Sequence, residues 1–129
     1  MGLELIFVHF PKAGGTSLVR SLSSHYGDTL VLDYEHLPPL DWSGDPPLLS
    51  DRVHAVCGHF HGNRYQAYRQ AFRFTFLREP VSNLISIFYF WLDYPRHGFP
   101  AHDRFLAERP TIFEFAEYAE MKRLSSVAY

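Results

Sequence analysis

The segment Phe7–Leu18, with the sequence FVHFPKAGGTSL, carries the pattern from which the fold of this 129-residue chain follows. The apolar run over residues 3–8 predicts a buried strand, and apolar residues at helical spacing resume at Thr16, after a pair of glycines. A strand that leads through a glycine-containing loop into a helix can bind an anion, because the first amide groups of the helix lack intrahelical partners and carry partial positive charge. The segment therefore predicts a site for a phosphate- or sulfate-bearing ligand.

The side chains of this loop fit the same chemistry. Lys12 supplies a cation, Thr16 and Ser17 supply hydroxyl donors, and glycine lets the backbone approach a phosphate closely. The pattern differs from a Walker A loop, in which the lysine follows the glycines. The alternative interpretation is a strand–loop–helix turn that binds nothing, as in many α/β proteins.

Strands and helices alternate along the chain, which favours an α/β fold with a parallel sheet covered on both faces. Strands are expected over residues 3–8, 29–33, 52–57 and 72–77, and helices over residues 16–26, 64–71, 81–93, 103–108 and 111–122. The residues expected to face inward from the last two long helices are Val81, Leu84, Ile85, Phe88, Leu92, Ile112, Phe115, Ala116 and Ala119. Four prolines between residues 37 and 47 indicate a surface loop, either a connector or the rim of a substrate site. A single α/β domain over residues 1–129 is expected.

Composition narrows the classes of function. The net charge of −2 gives no general basic field for nucleic acid, so anion binding has to come from a local site. The single cysteine, Cys57, excludes an internal disulfide, and its apolar neighbours predict a buried, inert thiol. No apolar stretch reaches membrane-spanning length, and the first residues do not resemble a signal peptide. A soluble, cytoplasmic protein with no membrane span is therefore expected.

Polar residues follow three of the expected strands. These are the loop over residues 11–17, the segment over residues 58–61 with His59 and His61, and Arg78, with Ser86 one to two turns into the next helix. The carboxyl ends of parallel strands form the ligand-binding edge of an open α/β sheet, so the three groups are expected to converge there. Arg78 and Ser86 could hold a second anion, and a histidine could transfer a proton. The alternatives are an ion pair between Arg78 and Glu79 or Asp93, a solvated serine and structural histidines.

Three motifs together resemble those of the sulfotransferases. Residues 9–18, HFPKAGGTSL, are similar to the 5′-phosphosulfate loop of that family, and residues 77–89, LREPVSNLISIFY, resemble its 3′-phosphate motif. Between them, residues 58–60, GHF, resemble the Gly-His segment of the branch that includes the heparan sulfate 2-O-sulfotransferases and related bacterial sulfotransferases. The resemblance covers roughly residues 5–90, with the motifs in the family's order.

The resemblance implies a P-loop-NTPase-like α/β fold and 3′-phosphoadenosine 5′-phosphosulfate (PAPS) as co-substrate. The cofactor-binding residues that it implies are Lys12, Ala13, Gly14, Gly15, Thr16 and Ser17 at the 5′ end, and Arg78 and Ser86 at the 3′-phosphate. Lys12 would contact the bridging oxygen or the sulfuryl group. His59 would be the general base for an acceptor hydroxyl, with His61 as the second candidate, since the motif alone does not separate them.

The implied reaction is an in-line transfer of the sulfuryl group to a hydroxyl, most often one on a carbohydrate, which leaves 3′-phosphoadenosine 5′-phosphate (PAP). No metal ion is required, and no carboxylate cluster for Mg²⁺ stands out in the sequence, in contrast to P-loop kinases. A P-loop phosphotransferase is therefore a third, disfavoured hypothesis.

The chain departs from the family in three respects. Glu79 stands where the family commonly has Asp, and Asn83 stands where many relatives have Arg. The chain is also shorter than is usual in the family, so a fold that is incomplete at the C-terminus is expected. The alternative to an active enzyme is a truncated, non-catalytic domain that binds a nucleotide or a partner. A homo-oligomer would be expected if a second chain replaces the missing part.

Overall fold

The computed structural model describes residues 2–34 and 48–122. Its contacts divide the chain into two compact units, Met1–Leu77 and Arg78–Tyr129. The Pro-rich loop predicted over residues 37–47 lies outside the described residues, and the single domain over residues 1–129 stays a prediction. Within the described ranges, no helix is both long and apolar enough to cross a membrane.

The described residues of the first unit, 2–34 and 48–77, form a four-stranded sheet and one long helix. Its elements are β1 (Leu5–Val8), α1 (Thr16–Tyr26), β2 (Leu30–Asp33), β3 (Ala55–Gly58) and β4 (Phe72–Thr75), with a short 3-10 turn at Gly27–Thr29 between α1 and β2. The strand order is β2-β3-β1-β4, and every pair is parallel. The predicted α/β class with a parallel sheet is therefore confirmed.

The residues of β1 and β3 alternate between two cores on opposite faces of the sheet. One core contains Leu3, Ile6, Val56, Phe60 and Tyr65, and the other contains Phe7, Leu22 and Cys57. Side chains of α1 cover the second core, whereas the first lies under the segment over residues 60–71. Both faces of the central strands are thus buried, which explains why β1 and β3 read as continuous apolar runs.

The helix predicted over residues 64–71 is wrong, because this segment forms successive turns. Its amides bond to carbonyls three residues earlier, as in the bond from Tyr68 N–H to the Tyr65 carbonyl. Tyr65 has a φ of 58°, a left-handed conformation that ends any right-handed helix. The Arg73 guanidinium also donates to the carbonyls of Gly62 and Tyr65, so tertiary bonds replace helical ones.

The second unit contains α2 (Pro80–Asp93), α3 (Pro100–Glu108) and α4 (Ile112–Ala116). Its buried core consists of Ile87, Phe105, Phe115, Tyr118 and Met121. The last helix was predicted to run over residues 111–122, but α4 ends at Ala116, and residues 119–122 form a separate helical stretch.

The predicted inward faces of these helices are partly wrong. Val81 and Ile85 are 63% and 40% exposed, and Ala119 is exposed, whereas Asn83 and Ile87 are buried. Apolar residues occupy most positions of α2, so spacing alone does not distinguish its buried face.

Candidate functional site

The loop between β1 and α1 has the backbone that the sequence suggested. Lys12 and Gly14 have φ values of 57° and 91°, and these two left-handed residues turn the chain from the strand into the helix. Gly15 is the N-cap of α1, and the N–H of Val19 donates the first helical bond to its carbonyl. The first turn of α1 contains no acidic residue, so no carboxylate of that turn opposes an anion there.

Gly15 has a second, steric reason to be glycine. A Cβ built on it would lie 2.5 and 2.6 Å from Cδ2 and Nε2 of the His9 ring, which occupies the space where a side chain would be. The glycine therefore allows the imidazole to lie against the first turn of α1. Lys12, Thr16 and Ser17 are exposed on this loop, where their ammonium and hydroxyl groups are accessible to a ligand.

His59 follows β3 and contacts the residue that precedes the loop. Its Nδ1 lies 2.5 Å from the backbone carbonyl oxygen of His9. Because a carbonyl oxygen only accepts, Nδ1 carries the proton and Nε2 of the neutral ring holds a basic lone pair. Burial lowers the pKa of His59, partly offset by this hydrogen bond, and so favours the neutral form. The neutral ring can therefore accept a proton at Nε2.

The His9 ring continues the network on the same edge of the sheet. Its Nδ1 lies 2.9 Å from the Tyr34 hydroxyl, which in turn lies 3.3 Å from Sγ of Cys57. The rings of His9 and His59 lie 4.8 Å apart between centroids. We call His9, Tyr34, Cys57 and His59 the neutral cluster. Sequence reasoning missed Tyr34, although its place directly after β2 was an available signal.

The pKa shifts in this cluster all favour uncharged groups. Burial, followed by the charge of His59, lowers the pKa of His9 to about 4. Burial also raises the pKa of the Tyr34 hydroxyl and that of the Cys57 thiol, which is fully buried as predicted. At neutral pH the side chains of His9, Tyr34 and Cys57 are therefore connected by hydrogen bonds between uncharged groups, and neutral His59 bonds to the backbone of His9.

His61 has a different environment from His59. Its Nδ1 accepts a hydrogen bond from the amide of Asn63 at 3.1 Å and so closes a local turn. The ring of His59 instead packs against the rings of His9 and Tyr34. Of the two candidate bases, His59 is the one next to the loop.

A second polar group lies at the end of β2, on the other side of the strand. The Asp33 carboxylate accepts from Nε of Arg64 and from the Tyr65 hydroxyl, each at 2.6 Å. All three side chains are buried. Burial lowers the pKa of Arg64, but the hydrogen bonds and the charge of Asp33 outweigh it and raise that pKa. We call Asp33, Arg64 and Tyr65 the ion-pair cluster; it anchors the segment that follows His59.

Gly58 places the two strand ends close together. A Cβ built there would overlap the backbone carbonyl of Asp33, so only glycine fits between β2 and β3 at this point. In this Gly-His pair, Gly58 is required because a side chain would not fit, and His59 supplies a basic nitrogen.

Arg78 and Ser86 belong to the second unit. Arg78 is exposed and precedes α2, and Ser86 is half-buried within that helix. Glu79 caps α2, because its carboxylate accepts from the amides of Val81 and Ser82 at 2.9 and 2.8 Å. These backbone bonds, that of Ser82 first, lower the pKa of Glu79. The change from Asp to Glu thus retains a capping carboxylate. The predicted convergence of Arg78 and Ser86 with the loop stays a prediction.

Comparison of the chain with protein-family models, with curated proteins and with solved structures gives no match. The fold class is therefore known from the structure itself. The resemblance to sulfotransferases rests on the residues of the three motifs.

Proposed function

We propose that this protein is a PAPS-dependent sulfotransferase with a P-loop-NTPase-like fold. It transfers a sulfuryl group to an acceptor hydroxyl, and the expected acceptor is a carbohydrate. The observation that carries this proposal is the hydrogen bond from Nδ1 of His59 to the carbonyl oxygen of His9. It joins a candidate base to the residue that precedes the candidate anion-binding loop, and sulfuryl transfer needs both a base and a site for the donor.

The loop would bind and activate the donor. Amide groups at the start of α1 and the hydroxyls of Thr16 and Ser17 would hold the 5′-phosphosulfate, and Lys12 would neutralise charge on the bridging oxygen. Negative charge grows on the phosphate as the sulfur–oxygen bond breaks, so these positive groups stabilise the transition state more than the bound substrate.

His59 would act on the acceptor. The acceptor oxygen forms a bond to sulfur, the bond from sulfur to the bridging oxygen breaks and PAP leaves, and the hydroxyl proton moves to Nε2 of His59. The carbonyl of His9 on Nδ1 stabilises the imidazolium that results. A well-placed base of this kind contributes roughly 10²–10⁴-fold to the rate.

Binding measurements separate the possible nucleotide functions. We expect the full chain to bind PAP more tightly than ATP in titration calorimetry, because the loop resembles a phosphosulfate loop. If millimolar PAP neither binds nor changes the melting temperature, the proposal is wrong. Tighter binding of ATP would instead favour a P-loop phosphotransferase. Replacing Arg78 by Ala tests the predicted 3′-phosphate contact, since it should weaken PAP more than adenosine 5′-phosphate.

Transfer of labelled sulfate from PAPS to a panel of sugar and phenol acceptors tests catalysis. We expect Lys12→Ala to lower kcat by about 10²–10³-fold, as removal of a transition-state donor does. His59→Ala should abolish most turnover and spare PAP binding, and His61→Ala is its matched comparison. Loss of turnover in His61→Ala alone would assign the base to His61. PAP binding without transfer to any acceptor would support the non-catalytic nucleotide-binding domain.

A further inference from the structure

His9 lies at the centre of the candidate site, yet none of the motif assignments gives its ring a role. Its backbone bonds to His59, its Nδ1 faces Tyr34 and its Nε2 edge lies against Gly15. The chemistry of the ring depends on which nitrogen carries the proton.

The hydrogen bonds of the Tyr34 hydroxyl indicate which nitrogen of His9 carries the proton. The hydroxyl can donate either to Nδ1 of His9 or to Sγ of Cys57. An imidazole nitrogen is a much better acceptor than sulfur, and the thiol retains its own proton with which to donate to the tyrosine oxygen. The hydroxyl therefore donates to Nδ1, and the proton of the neutral His9 ring is on Nε2. The pKa of His9, lowered to about 4, keeps this neutral form at physiological pH.

Nε2 of His9 lies against the N-terminal end of α1. The atom lies 2.6 Å from the point where a Cβ of Gly15 would be. Gly15 is the N-cap residue of α1, and the first amides of a helix lack intrahelical partners. Within residues 2–34 and 48–122, no hydrogen bond to Nε2 of His9 is formed.

We propose that His9 is a further anion-binding residue, whose Nε2–H donates to the 5′ oxyanion held by the loop over residues 12–17. This inference rests on the proposed function for the identity of the anion as a phosphate or phosphosulfate. A neutral donor adds a directed hydrogen bond without another charge, which suits a group that must release PAP after transfer.

The tautomer of His9 is measured directly by ¹⁵N–¹H correlation NMR of the full chain without ligand. We expect the pattern of an Nε2–H ring at pH 7, and in Tyr34→Phe a mixture of the two tautomers. An Nδ1–H tautomer in the unchanged protein would overturn the inference, whatever the protein's activity.

Binding of two related nucleotides tests the contact itself. PAP has a 5′-phosphate, whereas adenosine 3′-phosphate has none. His9→Asn retains a polar group near Nδ1 and removes the donor at Nε2, while His9→Gln retains an N–H near Nε2. We expect His9→Asn to weaken PAP about tenfold, the size of one hydrogen bond to a charged group, and His9→Gln to weaken it less. Neither variant should change the affinity for adenosine 3′-phosphate.

The outcomes separate this inference from the function on which it rests. If the unchanged protein binds neither nucleotide, the proposed function fails and the NMR result still decides the tautomer. If the unchanged protein binds PAP and folded His9→Asn binds it equally well, the role of His9 is wrong while the sulfotransferase proposal stands. Equal losses for both nucleotides would mean that His9 acts only on the structure of the site, which also contradicts the inference.

Discussion

Asp33 and Tyr34 are consecutive residues at the end of β2, and they belong to groups of opposite character. Asp33 lies in the ion-pair cluster, where its carboxylate accepts from Arg64 and Tyr65 in a buried environment. Tyr34 lies in the neutral cluster, where its hydroxyl connects His9 to Cys57. Successive side chains of a strand point to opposite faces, which separates a charged from an uncharged network within one step of the chain.

The ion-pair cluster supports the structure of the segment after His59, whereas the neutral cluster lies within the candidate site. Arg64 stays charged at any accessible pH, so its bond to Asp33 holds the segment after His59 without exchanging protons. The neutral cluster consists of uncharged groups, and it is the one beside the loop between β1 and α1. The same edge of the sheet thus has a buried ion pair on one side and an uncharged hydrogen-bonded group on the other.

The largest effect on stability is expected when the ion-pair cluster is broken. Asp33→Ala leaves the Arg64 cation and the Tyr65 hydroxyl buried without their partner, and should lower the free energy of unfolding by about 3–5 kcal/mol. Urea denaturation measures this change. An effect within about 0.5 kcal/mol, the usual range for surface substitutions, would mean that the pair lies in solvent and does not support the segment after His59.

Removal of Arg73 should have a smaller effect, because it breaks two bonds to neutral carbonyls. Arg73→Met retains the length of the side chain and should cost about 2 kcal/mol, within the range for hydrogen bonds to charged groups. The variant should also increase amide hydrogen exchange in the turns over residues 61–66. Arg69→Met, on the exposed surface, is the matched control. Equal exchange in both variants would contradict an anchoring role for Arg73.

Acid should weaken the neutral cluster. The pKa of His9 is lower in the folded chain, about 4, than its ordinary value of 6.5, so the unfolded chain binds more protons between these values. Stability is therefore complete above pH 6.5 and falls as pH decreases toward 4. Since each pKa unit is about 1.4 kcal/mol and the ring is partly solvated, we expect a loss of about 1–2 kcal/mol.

Denaturation curves of the unchanged protein and of His9→Gln, measured between pH 4 and 7, test this expectation. His59 contributes in the same direction, because its pKa is also lowered by burial. The variant should therefore show a weaker dependence on pH, not a flat one. An identical slope in both proteins would show that His9 does not titrate as stated.

The smallest effect is expected from the tyrosine itself. Tyr34→Phe removes one hydroxyl between His9 and Cys57 and should cost about 1 kcal/mol, the net value of an ordinary hydrogen bond. Thermal denaturation measures the loss, with Tyr26→Phe on α1 as the control. A loss as large as that in Asp33→Ala would contradict the ranking of the two clusters.

The local parts of this molecule could be predicted from the sequence. The bounds of α1 were correct, because Gly15 and Gly27 mark its ends, and the four strands were found from their apolar runs. The turns over residues 64–71 could not be predicted, because they depend on tertiary hydrogen bonds. Tyr65 bonds to Asp33, and Arg73 bonds back to the carbonyls of Gly62 and Tyr65. The roles of Tyr34 and Asp33 were missed for the same reason, because their hydrogen-bond partners lie 23–32 residues away in the chain. Sequence spacing contains no information on such pairs.

The strand order has a consequence for how the chain folds. β1 is a central strand, paired with β3 and β4, and the residues that it joins, such as Leu5 with Ala55 and Phe72, are far apart in the chain. Sheets built from such distant pairings close late and fold slowly, because long loops must be closed before any contact is gained. The bond between His9 and His59 joins residues that are 50 positions apart, so the candidate site is assembled only when β1 and β3 have paired.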